Sequence, residues 1–160
     1  MANVVTPFAV CMLCVVCDIK QVQQKLGDCF LLGAMSVMAM RENLIKNIFL
    51  AYDVNAGVYA LRIFRQGIPT VVIVDDRLPC CDDGSLAFGR GKDIGELWIP
   101  IIEKAYAKSY GTYANIVGGT IDGALADLSG GLPEVQRGKE ISAGGDKNWK
   151  TLLEMDDGGM

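Results

Sequence analysis

Gln23 and Cys29 are the residues of this 160-residue chain whose types and spacing could do chemistry. Cys29 falls at the predicted first turn of an apolar helix, and Gln23 precedes it by six positions. A thiol attacks as its thiolate, a form that the aligned backbone dipoles of a helix N-terminus favour. Attack on an amide places negative charge on the carbonyl oxygen. The backbone N–H of Cys29 and the side-chain amide of Gln23 are two donors suited to that oxygen. Such donors are typically worth about 3–4 kcal/mol each in the transition state. The base is missing, because the sequence contains no histidine. Acyl transfer to a thiol requires a group to take the thiol proton, so these residues hold half of an active site.

A lone cysteine ahead of an apolar helix is by default a small core residue. Gly27-Asp28 argues otherwise, since glycine permits a sharp turn into the helix and aspartate suits the N-cap. From Cys29 to Met40 the apolar side chains crowd all round, which predicts a buried central helix. Residues 57–65 and 69–75 are rich in β-branched and aromatic types, and the break at Gln66-Gly67 predicts an antiparallel hairpin. Pro79 cannot donate to a ladder, so the sheet should end before it. Residues 80–93 read as a loop turning at Asp82-Asp83-Gly84.

Leu97 to Tyr110 carries the clearest amphipathic pattern. Trp98, Ile101, Ile102 and Ala105 form the inner stripe, Glu103, Lys104 and Lys108 are expected to face water, and Pro100 fits the first turn. Beyond Gly111 the chain turns glycine-rich, and a short last helix is predicted over Lys147–Met155. The fold class is therefore α+β: a central helix, a small antiparallel sheet, a second helix and glycine-rich loops.

A hydrophobic content of 51%, with 19 glycines besides, exceeds the usual apolar share and implies a face meant for a second domain or subunit. With that face bare, self-association is expected. The net charge of −4 gives no basic footprint and argues against nucleic acid. Six cysteines read best as reduced thiols in a cytoplasmic protein. No stretch reaches the ~18–20 apolar residues of a membrane span, and Phe8–Cys17 lacks the flanks of a signal peptide. Cys11, Cys14 and Cys17 supply three thiols without a histidine, an incomplete set for a metal. Asp75-Asp76-Arg77 is read as a structural ion pair tying the hairpin to the rest.

Six motifs in register carry a family resemblance. They are Leu26-Gly27-Asp28-Cys29-Phe30-Leu31-Leu32, Val74-Asp75-Asp76-Arg77-Leu78-Pro79, Glu96-Leu97-Trp98, Glu103-Lys104-Ala105-Tyr106-Ala107-Lys108, Gly118-Gly119 and Asp127-Leu128-Ser129-Gly130-Gly131. In order and spacing they resemble the first half of the calpain catalytic core, over roughly residues 23–131. Residues 1–22 form an apolar, cysteine-rich segment outside it. The resemblance implies a papain-like fold in which residues 23–160 are the nucleophile-bearing subdomain, cut off before the half that bears histidine and asparagine. It implies a cysteine endopeptidase acting on protein substrates, with that second subdomain as partner.

By the same resemblance Cys29 matches the nucleophile and Gln23 the oxyanion glutamine. Gly118 and Gly119 match the glycine wall that pairs with an extended substrate, where a side chain would block the approach. Glu96 matches a carboxylate of a calcium loop, which makes calcium the implied cofactor. The chain departs from the pattern at Phe30, where tryptophan is usual, and at Gln24, where glycine is usual. Lys20 stands at an acidic calcium-ligand position and Asp18 at an arginine position. A lysine in a loop that must offer six to eight oxygens weakens the implied calcium site.

Overall fold

A computed structural model describes residues 26–82, 84–91, 96–135 and 145–157. In chain order the elements are α1 (Cys29–Ala39), α2 (Glu42–Lys46), β1 (Phe49–Asp53), β2 (Val58–Arg65), β3 (Ile68–Asp75) and α3 (Trp98–Ser109). A 3-10 turn (Tyr113–Ile116), α4 (Ile121–Ser129) and α5 (Gly145–Asp157) follow. The sheet has the order β1-β2-β3 and both pairings are antiparallel. These elements make the α+β architecture of a papain-like subdomain.

Alternation along β2 and β3 decides which face of the sheet is covered. Tyr59, Leu61 and Ile63 pair across from Val74, Val72 and Thr70, and all but Thr70 are buried. The hairpin turns at Gln66 (φ 54°) and Gly67 (φ 79°), both left-handed, as a two-residue loop matched to strand twist requires. The sheet ends at Asp75, ahead of Pro79 as expected. Its outer face leaves Val71 and Ile73 exposed.

α1 is the central helix: Phe30, Leu31, Leu32, Ala34, Met35, Met38 and Ala39 are all buried. It packs against α4, α2 and α3, while α3 lies along β2 and β3. α3 and α4 thus cover the sheet while α1 packs against both, and full burial of each large aliphatic side chain stabilises by about 1.5–3 kcal/mol. No helix among the described residues is long and apolar enough to cross a membrane.

Three expectations need correction. Glu103 does not face water: it is 1% exposed, on the inner side of α3 together with Ile99, Ile102 and Tyr106. Asp28 occupies the N-cap position of α1, yet its side chain makes no capping hydrogen bond and is buried. The glycine-rich stretch beyond Gly111 holds a nine-residue helix, α4, capped by the Thr120 hydroxyl accepting from the Gly123 N–H. Gly130 ends that helix at φ 76°, where a Cβ would fall 2.5 Å from the Phe64 ring. Strand β1 and the short α2 were also not foreseen. The last helix runs from Gly145 to Asp157, slightly longer at both ends than expected.

Candidate active site

Cys29 is the first residue of α1 and is exposed to solvent, while its neighbour Phe30 is buried. The earliest bonds of the helix are Leu31 N–H and Leu32 N–H donating to the Asp28 carbonyl, at 2.9 and 3.2 Å. The N–H groups of Cys29 and Phe30 precede them, at the positive end of the helix. A surface thiol beside these donors is the arrangement that attack on a carbonyl and stabilisation of its oxyanion require. Gln23 lies outside the described residues.

Gly118 and Gly119 are brought to the same place from the other side. The Gly118 N–H donates to the Gly27 carbonyl at 2.9 Å, two residues before the thiol, and Gly118 itself has φ 83°. A Cβ on Gly119 would lie 2.6–2.9 Å from the Phe30 ring. The glycine pair is therefore fixed against the residues on either side of the Cys29 turn, and any side chain at 119 would collide there. Beside it opens a cavity of about 250 Å³, lined among others by Phe30, Gly118, Gly119, Thr120, Tyr106 and Tyr110.

The other motifs turn out to be wiring. Lys104 bridges to the Asp75 carboxylate and donates to the carbonyls of Asp75 (3.1 Å) and Arg77 (2.6 Å). This bears out a structural ion pair at the end of β3, and it holds the Asp75 carboxyl below the usual carboxylate range, chiefly through the Lys104 hydrogen bond. Lys108 donates to the Ile73 carbonyl at 2.7 Å. Tyr106 and Tyr110 donate to Asp127 Oδ2 at 3.0 and 2.5 Å, and the Arg65 guanidinium lies 3.5 Å from the Tyr110 ring centre. Burial first, then the hydrogen bond with Tyr110, pushes the Tyr106 hydroxyl well up.

Directly behind Cys29 lies a cluster that sequence reasoning missed. Asp28 and Glu103 are each 1% exposed, and the two carboxyls lie close enough to act on one another. Glu103 accepts from the Gly89 N–H, at 3.2 Å through Oε1 and 3.1 Å through Oε2. Burial, then the hydrogen bond and charge of Asp28, raises the Glu103 carboxyl to about 9, against the opposing pull of the Gly89 N–H. Burial thus favours the protonated form of Glu103. The Tyr113 hydroxyl is pushed up by burial and by the same two carboxyls. The signal was present in the spacing: Glu103 stands four residues after Ile99 and three before Tyr106, on the stripe that faces inward.

Glu96 is buried two residues ahead of α3, its carboxylate lying where a Cβ on Gly91 would be. Among the described residues no three metal-ligating side chains converge. Glu96 with at most one further ligating side chain among the described residues falls short of the six to eight oxygens that calcium takes.

The fold and site define a class: an α+β subdomain that presents a thiol at the N-terminus of its buried central helix, beside a glycine wall. A family model described as calpain family cysteine protease matches residues 9–156. A calpain-type cysteine protease of Zea mays is 39% identical over 112 residues, which are 70% of this chain and 5% of the relative. Calpain-5 of Caenorhabditis elegans is 38% identical over 117 residues, 68% of this chain and 18% of the relative. Calpain-12 of Mus musculus is 36% identical over 117 residues, 71% and 16% respectively. The chain belongs to the calpain family of cysteine proteases, and it spans less than a fifth of each of these three relatives.

Proposed function

We propose that this chain supplies the nucleophile-bearing half of a calpain-type cysteine endopeptidase that cleaves protein substrates by limited proteolysis in the cytoplasm. The observation that carries the reading is the solvent-exposed Cys29 at the first turn of a buried helix, with Gly118 hydrogen-bonded to Gly27 beside it. In this reading the thiolate of Cys29 attacks the scissile carbonyl. The N–H of Cys29 and the side-chain amide of Gln23 receive the oxyanion. The backbone at Gly118 and Gly119 pairs with the extended peptide. The base is a histidine of a second subdomain, oriented by an asparagine, and residues 1–160 alone turn over no peptide because they contain no histidine. Calcium dependence is a family expectation; Glu96 is the residue on which it would bear.

The absence of histidine from these residues also favours a second reading, a calpain-like fold kept as a protein-interaction module. The reading frame beyond codon 160 and a fluorogenic peptide assay separate the two. A continuation bearing His and Asn, whose product cleaves the peptide and loses that activity on Cys29→Ala, supports the peptidase. A stop codon, or turnover indifferent to Cys29→Ala, defeats it. Peptide turnover by residues 1–160 alone that Cys29→Ala abolishes would refute the inactivity of this half.

A further inference from the structure

The buried carboxyls of Asp28 and Glu103 do nothing in the reaction outlined above, yet the fold sets them immediately behind the nucleophile. Asp28 is the residue before Cys29 and carries the first two bonds of α1 on its carbonyl. Its side chain does not cap the helix, and its Oδ2 is buried with no hydrogen-bond partner. An aspartate at an N-cap normally turns toward the helix N–H groups. Here it turns away, into the protein, toward a second acid on α3. No salt bridge among the described residues reaches either carboxyl. The groups that face the pair are the Gly89 N–H, from the segment before α3, and the Tyr113 hydroxyl, from the 3-10 turn. Neither is a cation.

Two carboxylates without a cation cannot both be charged in such a place, so one proton must bridge them. We propose that Asp28 and Glu103 form a positioning latch, in which that shared proton fastens the nucleophile turn of α1 to α3 and its removal frees the turn. The step balances simply: hydroxide takes the proton from the Glu103 carboxyl as water, and two facing carboxylates remain. Their repulsion acts on Asp28, one residue from the thiol. Tyr113 stays neutral beside them, because burial and the same two acids hold its proton. The latch has meaning for catalysis only if Cys29 is the nucleophile, as proposed above, but its existence does not depend on peptide hydrolysis.

The test is the rate of Cys29 alkylation by iodoacetamide in the full chain, followed by peptide mass mapping from about pH 6.5 to 10.5. The wild-type profile should show two inflections, ionisation of the thiol and then release of the turn near the pH where Glu103 loses its proton. A thiolate that leaves the positive end of a helix is the stronger nucleophile, so the second step should raise the rate about threefold. Glu103→Gln keeps a donor toward Asp28 and has nothing to lose, so its profile should show one inflection. Asp28→Asn keeps a permanent donor toward Glu103, should behave likewise, and serves if the first variant fails to fold. A wild-type profile with a single inflection overturns the latch, and so does a second inflection that survives in both variants. Failure of the endopeptidase reading would leave these profiles unchanged, since alkylation needs neither a base nor a peptide.

Discussion

Replacing Glu103 with glutamine should remove a pH dependence from the folding of this domain. The Glu103 carboxyl moves from 4.5 to about 9 on folding, first through burial and then through Asp28. An acid weakened by folding binds its proton more tightly in the native than in the unfolded chain. Its stabilising contribution is therefore complete below pH 4.5 and declines as pH rises, until the native group ionises near pH 9. The slope across that window is about 1.4 kcal/mol per pH unit. From pH 5 to 8 it amounts to about 4 kcal/mol, as an upper bound for a group coupled to a neighbouring acid. Against a typical domain stability of about 5–15 kcal/mol this is a large fraction. The glutamine preserves shape and can still donate to Asp28, but it does not titrate. Urea denaturation followed by far-UV circular dichroism at intervals over this pH range measures the difference. The wild-type midpoint should fall by about 2 M toward alkaline pH, and that of the variant should fall far less. Parallel midpoints for the two proteins would refute the reasoning, since they would mean that Glu103 ionises alike in the folded and unfolded chain.

Two further substitutions probe the site's surroundings. Gly119→Ala should destabilise by about 1–3 kcal/mol through collision with the Phe30 ring, and Phe30→Leu in the same chain should recover part of that loss in urea denaturation. Asp127→Ala takes the acceptor from Tyr106 and Tyr110 and the counter-charge from Arg65, and should lower stability by about 2–3 kcal/mol. Asp127→Asn, which keeps one acceptor oxygen, should lose less in the same measurement.

The family motifs divide cleanly once their contacts are known. Leu26-Gly27-Asp28-Cys29 and Gly118-Gly119 meet beside the exposed thiol. Glu103-Lys104-Ala105-Tyr106-Ala107-Lys108 is a connector: Glu103 reaches Asp28, Lys104 reaches β3, Tyr106 reaches α4 and Lys108 the Ile73 carbonyl. Asp127-Leu128-Ser129-Gly130-Gly131 closes α4. Asp127 accepts from the tyrosines, Leu128 is buried, the Ser129 hydroxyl donates to the Leu125 carbonyl at 2.6 Å, and Gly130 supplies the left-handed cap. Most of these motifs are thus, in this chain, scaffolding around one helix terminus.

The sequence alone determined most of the local elements and the place of Cys29 at a helix start. The all-round apolar run of α1, the alternation of β2 and β3, the Gln66-Gly67 turn and the stripe of α3 are short-range patterns, and each is decided by neighbours within a few residues. The position of Cys29 is local as well, since a helix N-terminus is written in the residues on either side of it. What tertiary structure alone decided is where the polar groups went. Glu103 looked like one more solvated glutamate beside two lysines, and Asp28 like an ordinary cap, because nothing within a helical turn of either shows the other, 75 residues distant. Only the packing of α1 against α3 brings them together. Removing both from water at once forces a single proton between them, which no pattern along the chain can express.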